Sequence, residues 1–375
     1  MVANTPASAS KSPVTSATAC RWLPRAALLV LYVLYPTVFT GCSRPSGPLA
    51  SGSPLPPGAL VAVIGASESD PAWPGIRGGA KRYDEQSPNL ECLLAAPDRD
   101  DPESLRAVVN DVSAKHPLAI CLCVADPEKA RPVAREIVTR GLLLVTIGKP
   151  LDAVGAYGSV EIGWPEAAET LGRSLDAIAH GRRSYVLLHE NGNDALASQC
   201  YARFSVAAQR DSMLKLLTVR HAAGAPGGQQ HLVREMLGVF PHAGLIVTLS
   251  PEPWLAVQPR LELPRRTQPG ETVAYENRFV TLGAAPRLWP RLKSGEAAAL
   301  AGPLDGEVGY AAVELAVRGL MHIPSAMTRR VISCELVTPE TLGDFAQRYA
   351  AAAGLTLADL MPFESHTPAS QPGGG

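Results

Sequence analysis

The sequence predicts a doubly wound α/β protein of two similar Rossmann-like lobes. Three observations carry that reading: short apolar runs, amphipathic segments between them, and a break in the repeat near Gly163. A strand buried on both faces of a parallel sheet reads as a nearly unbroken apolar run, whereas a half-exposed strand alternates with polar residues. Eight such runs occur in order, at residues 60–64, 90–95, 118–124, 142–147, 185–189, 214–219, 245–249 and 279–282. Charge interrupts them only at Glu91 and Lys215. The intervening segments 102–115, 127–140, 165–180, 194–210 and 229–239 have the pattern of surface helices. Several open on Asp or Pro and close near Gly, as Asp126-Pro127 and Arg140-Gly141 do.

Composition agrees with that plan. With 375 residues, 46% hydrophobic and 18% charged, the chain is long and apolar enough for two cores. Lys and Arg total 34 against 35 Asp and Glu, so there is no basic field for nucleic acid, and no nucleic-acid partner is expected. The 34 Pro and 33 Gly gather at the two ends and in turns between apolar runs, as short connections in an α/β body require.

The N-terminus has a different grammar. Residues 1–60 contain no Asp or Glu, and Lys11, Arg21 and Arg25 precede an apolar run at 26–40. That order of charge and then apolar residues is that of a secretory signal. The run falls short of the roughly 20 residues a membrane span needs, and Pro36 interrupts it. It ends in Phe39-Thr40-Gly41-Cys42, which resembles a bacterial lipoprotein lipobox. The resemblance implies a signal peptide at 1–41, lipid on Cys42 and a Ser/Pro/Gly-rich tether at 42–58. A conventionally cleaved signal and an uncleaved anchor are the alternatives. Cleavage before Cys42 would remove three basic side chains and no acidic one, leaving a mildly acidic body. Residues 361–375 read as a disordered tail.

Of seven Cys, five remain in the body: Cys92, Cys121, Cys123, Cys200 and Cys334. Cys121 and Cys123 share one strand face, and paired Cys or Cys/His spacing for zinc is absent. The histidines are scattered, the Gly224 to Gly228 turn lacks a phosphate-loop Lys-Ser/Thr, and Ser67 has no nucleophile-elbow context. No cofactor, metal or catalytic residue is expected, and the protein is read as a non-enzyme.

The order of landmarks resembles the type I periplasmic solute-binding proteins, in particular the ribose- and galactose-type sugar-binding proteins of ABC importers. The strand Val61-Ala62-Val63-Ile64 leads to Asp70-Pro71-Ala72-Trp73 and to Gly75-Ile76-Arg77-Gly78-Gly79-Ala80. Further matches are Leu143 to Lys149, Pro241 with Gly244-Leu245-Ile246-Val247, and Leu304-Asp305-Gly306-Glu307-Val308-Gly309. An insertion of about eight residues falls around 258–272. The resemblance implies two lobes joined by three hinge crossings near Ile162, Pro303 and Ser333. Lobe one would be 59–162 plus 304–333, and lobe two 163–303 plus 334–360. It also implies a small-molecule ligand in the interlobe cleft, an ABC permease or a sensor membrane protein as partner, and a place in the periplasm or cell envelope.

A sugar site needs flat rings against C–H faces and forked polar groups for hydroxyl pairs. Carried over position by position, the resemblance leaves Asp70 as an acceptor, Trp73 as a stacking ring, Lys149 as a cation and Ser250 in place of an amide. Trp164, beside the first crossing, could add a ring. For Trp73 and Trp164 a packing role stays open, and for Lys149 a solvated one. Gly148, Cys200, Gly224, Gly283 and Pro303 replace polar pocket groups. The expected ligand is therefore larger or less hydroxylated than a free sugar, with a negative or carbonyl group near Lys149 and a flat face over Trp73. Two functions follow: the substrate-binding lipoprotein of an ABC importer, or a degenerate fold serving as an envelope sensor or adaptor.

Overall fold

Among the described residues, twelve strands form two sheets of the same plan. Along the chain they are β1 (Ala59–Ile64), β2 (Leu90–Ala95), β3 (Ala119–Val124), β4 (Leu143–Gly148), β5 (Gly158–Ile162) and β6 (Ser184–His189), then β7 (Lys215–His221), β8 (Leu245–Thr248), β9 (Arg278–Leu282), β10 (Ala297–Gly302), β11 (Arg329–Ile332) and β12 (Glu335–Val337). The structure, a computed structural model, describes residues 55–189, 194–221, 228–256, 278–322 and 329–360. The signal-like segment, Cys42 and nearly all of the tether, Gly224, the insertion at 258–272 and the tail at 361–375 lie outside the described residues.

The first sheet has the order β11-β5-β4-β3-β1-β2 and the second β12-β10-β9-β8-β6-β7. All pairings are parallel except β12 with β10. In each sheet the chain starts next to one edge, steps outward once and then returns past its starting strand. That reversal opens a crevice at the strands' carboxyl ends, where ligands of doubly wound sheets sit.

The helices are α1 (Trp73–Glu85), α2 (Pro102–Ser113), α3 (Pro127–Thr139), α4 (Trp164–Arg173), α5 (Leu175–Ala179), α6 (Ala195–Asp211), α7 (Gly228–Val239), α8 (Glu252–Leu255), α9 (Trp289–Lys293), α10 (Asp305–Leu320), α11 (Leu342–Ala353) and α12 (Leu357–Leu360). Their starts are encoded locally. Asp101 accepts the Ser104 N–H at 2.8 Å and Asp126 the Glu128 N–H at 2.9 Å, each followed by Pro at the first helical position.

Both faces of each sheet are covered. In β1, Val61 and Val63 join Trp73, Ile76 and Val308 on one side, while Ala62 and Ile64 join Leu105, Val109 and Val133 on the other. In the second sheet Tyr185 and Leu187 pack with Leu171 and Phe204, and Val186 and Leu188 with Val233 and Trp289.

Two sequence readings are refined. The run at 214–219 is not buried on both faces: β7 is an edge strand, with Leu216 and Leu217 exposed, because it has one neighbour in the sheet. Segment 165–180 is two helices, broken at Ser174, which caps the end of α4. Four strands escaped the eight apolar runs: β5 and β11 carry charge, β10 is mainly Ala, and β12 has three residues.

Among the described residues, three crossings link the sheets, from β5 to α4, from β10 to α10 and from β11 to β12. The first and third run side by side, with the Gly163 N–H donated to Ile332 O at 2.9 Å. A further meeting lies behind them. Helix α11 inserts Phe345 and Tyr349 into the second lobe's core, yet its end lies on α1 and α10 of the first lobe. The approach is so close that a Cβ on Gly78 would lie 1.8 Å from Ala353 O, so only glycine fits there.

Candidate functional site

The carboxyl ends of β1, β4, β5, β8, β9 and β10 and the segments that follow them, together with the start of α6 after β6, line one cavity of about 270 Å³ between the lobes. The first lobe contributes Asp70, Lys149 and Asp305, and the second Trp164, Asp194, Ser250 and Glu252. Most of the remaining wall is apolar, including Ile162, Leu249, Leu282 and Pro303.

Asp70 lies in the loop before α1, with Pro71 and Ala72 between it and the helix. Its Oδ1 accepts the Ala72 N–H at 2.9 Å, closing a turn two residues long. Burial pushes its carboxyl up, the Ala72 N–H pulls it back, and the charge of Asp100 adds to the rise.

Lys149 reaches across the cleft. Its Nζ donates to Asp194 Oδ2 at 2.6 Å, while Asp194 Oδ1 caps α6 by accepting the N–H groups of Leu196 and Ala197 at 2.9 and 3.4 Å. One carboxylate thus starts a helix in one lobe and holds a cation from the other. Burial raises the Asp194 carboxyl, but the Lys149 ammonium and the two N–H groups outweigh it and hold it below its ordinary value. Both side chains remain about one-third exposed, so the pair contributes about 1 kcal/mol or less.

Asp305, the first residue of α10, is 8% exposed. The Tyr349 hydroxyl donates to its Oδ2 at 2.6 Å. Gly75 leaves room for this pair, because a Cβ there would lie 2.6 Å from Asp305 Cβ and 2.8 Å from the Tyr349 oxygen. Burial pushes the carboxyl up to about 7, against the lowering effect of Tyr349 and with a further rise from the charge of Asp70.

On the opposite wall a chain of hydroxyls fixes the Ser250 turn. Trp254 Nε1 donates to Thr248 Oγ1 at 3.0 Å, Thr248 to Thr281 Oγ1 at 2.7 Å, and Thr281 to Ser250 O at 2.8 Å. Cys200 also faces the cavity. Burial first, then the charges of Asp194 and Glu166, push its thiol up to about 12, so it stays protonated at neutral pH and serves as wall rather than nucleophile.

Of the sequence-derived residues, Asp70, Lys149, Trp164 and Ser250 line this one cavity, and Trp73 does not. Trp73 is 1% exposed and belongs to the core of the first lobe. As the first residue of α1 its side chain turns back onto β1, where its ring fills the space above Gly65, within 2.7 Å of where a Cβ would stand. Asp70, Pro71 and Ala72 form the lining instead. The expected flat face over Trp73 is therefore corrected. The expected anion near Lys149 meets an ammonium already paired with Asp194. Gly283, Cys200 and Pro303 also line the cavity, whereas Gly148 does not.

Sequence reasoning missed Asp194 and Asp305 as wall residues. Both stand at helix starts, where an acid is sufficiently explained by helix chemistry, so nothing in the local pattern marks them further.

Comparison with known proteins adds the following. A family model described as a periplasmic binding protein domain matches residues 61–321. Among curated proteins no sequence match is found. Among solved structures, the chain is similar to an ABC transporter solute-binding protein from Burkholderia graminis in complex with D-arabinose, with TM-score 0.63 and 15% identity, over 76% of this chain and 97% of the other. A glucose-galactose binding protein from Geobacillus stearothermophilus gives TM-score 0.61 and 14% identity, over 76% and 98%. A periplasmic ribose ABC transporter protein from Conexibacter woesei gives TM-score 0.62 and 14% identity, over 79% and 96%. At such identities the likeness is one of fold.

Proposed function

This chain belongs to the periplasmic binding protein domain family, and on that premise we propose that it is the solute-binding component of an ABC-type importer. It captures a sugar-like or other small polar solute between its lobes and is held in the cell envelope by lipid on Cys42. The observation that carries the reading is the cavity itself, set at the carboxyl ends of both sheets and walled by both lobes. D-arabinose in a protein of the same fold supports a small polar solute. Asp70, Lys149, Trp164 and Ser250 are the ligand-facing residues of this reading. Closure around the solute would present both lobes together to a permease, and the Lys149–Asp194 pair would hold one edge of the closed cleft.

Calorimetric titration of the detergent-solubilised full chain with sugars, polyols, nucleosides and small amines tests it. Ala197, on the cavity wall, is changed to Trp to fill the space. Saturable binding by the wild type that is lost in Ala197→Trp is the expected result. Binding that survives the substitution would move the site elsewhere, and no binding by any solute would favour an adaptor role. Mass spectrometry of the membrane-extracted protein should find a lipid-modified N-terminal Cys42.

A further inference from the structure

We propose that the solute bound between the lobes carries a protonated amine, held by Asp70 and Asp305, on an otherwise apolar body. This rests on the solute-binding reading above and names the class of solute. Four acidic residues line the cavity, Asp70, Asp194, Glu252 and Asp305, and among the described residues Lys149 is the one cation that does so. Asp194 already holds Lys149 at 2.6 Å. Asp70 and Asp305 have no cation within ion-pair distance among the described residues; their hydrogen bonds come from the Ala72 N–H and the Tyr349 hydroxyl.

Asp305 is the sharper of the two. It is more than nine-tenths buried and lines the cavity, and Tyr349 occupies one of its oxygens while the other accepts no hydrogen bond from any described residue. A buried carboxylate without a charge partner is costly, and a second one facing the same cavity raises the cost. A proton relieves one acid. An ammonium relieves both, because it brings a positive charge and three donors with no acceptor of its own.

Donor balance separates this reading from a sugar. Each sugar hydroxyl both donates and accepts, so a polyol needs donors from the wall as well as acceptors. Here the charged donor is engaged and the wall is rich in carboxylate acceptors, which suits a ligand that only donates. The rest of the wall, with the Trp164 ring, Ile162, Leu249 and Leu282, calls for apolar surface on the ligand. A ligand anion would meet Asp70 and Asp305 with its own charge.

The test is calorimetric titration of the solubilised full chain at pH 8 with three probes of one shape: phenethylamine, 2-phenylethanol and 3-phenylpropionate. The amine should bind saturably and at least tenfold more tightly than the alcohol, and the acid should bind more weakly than either. Asp70→Asn and Asp305→Asn should each weaken the amine at least tenfold and leave the alcohol unchanged. If Asp305→Asn fails to fold, Asp70→Asn decides the matter. Equal or tighter binding of the alcohol or the acid, no saturable binding of the amine, or amine binding indifferent to Asp70→Asn overturns the proposal. Sugar binding abolished by Ala197→Trp, together with any of those results, would keep the solute-binding reading and remove the amine.

Discussion

At the cleft the two lobes face each other through charged side chains around about 270 Å³ of open space, whereas behind the crossings, where the end of α11 lies on α1 and α10, backbone rests on backbone. Arg82 reinforces the rear contact by donating to Ala351 O at 3.3 Å and to Glu307 at 2.8 Å, and its guanidinium lies over the Tyr310 ring. The difference assigns a role to each place. Tight packing of rigid helices resists sliding, while a solvated ion pair opens at little energetic expense. On that contrast, a motion that parted the lobes would open them at the cleft and turn about the rear junction. Asp305 joins the two, since it lines the cavity and bonds to Tyr349 on α11.

The sharpest way to break this contrast is at the junction. Gly78→Ala would set a methyl group 1.8 Å from a backbone carbonyl that cannot rotate away, so a loss of about 3 kcal/mol or more is expected in urea denaturation. A loss below 1 kcal/mol would mean that the rear contact gives way and is no pivot.

Next in size is the pH dependence at Asp305. Its folded value of about 7 stands above the ordinary 3.8, so between those values the folded protein keeps a proton that the unfolded chain has released. Its contribution to stability is therefore greatest below about pH 4 and declines as pH rises to 7. Denaturation midpoints measured from pH 4 to 8 should fall more steeply in wild type than in Asp305→Asn. Parallel curves would show that Asp305 does not carry the slope.

A control at α11 should have the opposite sign from Gly78→Ala. Gly343 is exposed, and a Cβ there meets nothing within 4 Å, so Gly343→Ala should stabilise by a few tenths to about 1 kcal/mol. Destabilisation would show that crowding at Gly78 is not what separates the two positions.

The smallest energetic effect is expected at the cleft. Lys149→Ala should change stability by about 1 kcal/mol or less, and small-angle scattering should show a more open molecule. Raising the salt concentration should open the wild type toward the variant's dimensions and leave the variant unchanged. Scattering curves identical for the two at low salt would remove the latch.

Particular residues show how far the sequence could be read. The starts of α2 and α3 were legible because Asp101-Pro102 and Asp126-Pro127 act within one turn of chain. The inner strands were legible because burial on both faces leaves no position for polar residues, as in β3, buried throughout. The run at 214–219 was legible as a strand but not as an edge, where exposure admits Lys215, and β5 escaped the rule because its Glu161, though buried, is paired with Arg329 of the neighbouring β11. At the cleft, the resemblance to sugar-binding proteins pointed to Asp70, Lys149, Trp164 and Ser250, which line the cavity, and equally to Trp73, which turned inward.

By itself the sequence determined eight of the strands, several helix starts and the division into two lobes, because periodicity and helix starts are local properties of the chain. Only the tertiary structure decided the chemistry of the cleft. Lys149 and Asp194 are 45 residues apart, and Asp305 and Tyr349 are 44 apart. Whether a charge is spent on a neighbour or left facing a ligand depends on which distant residue the fold brings within 3 Å, and that information lies in the packing of the lobes rather than in any stretch of the chain.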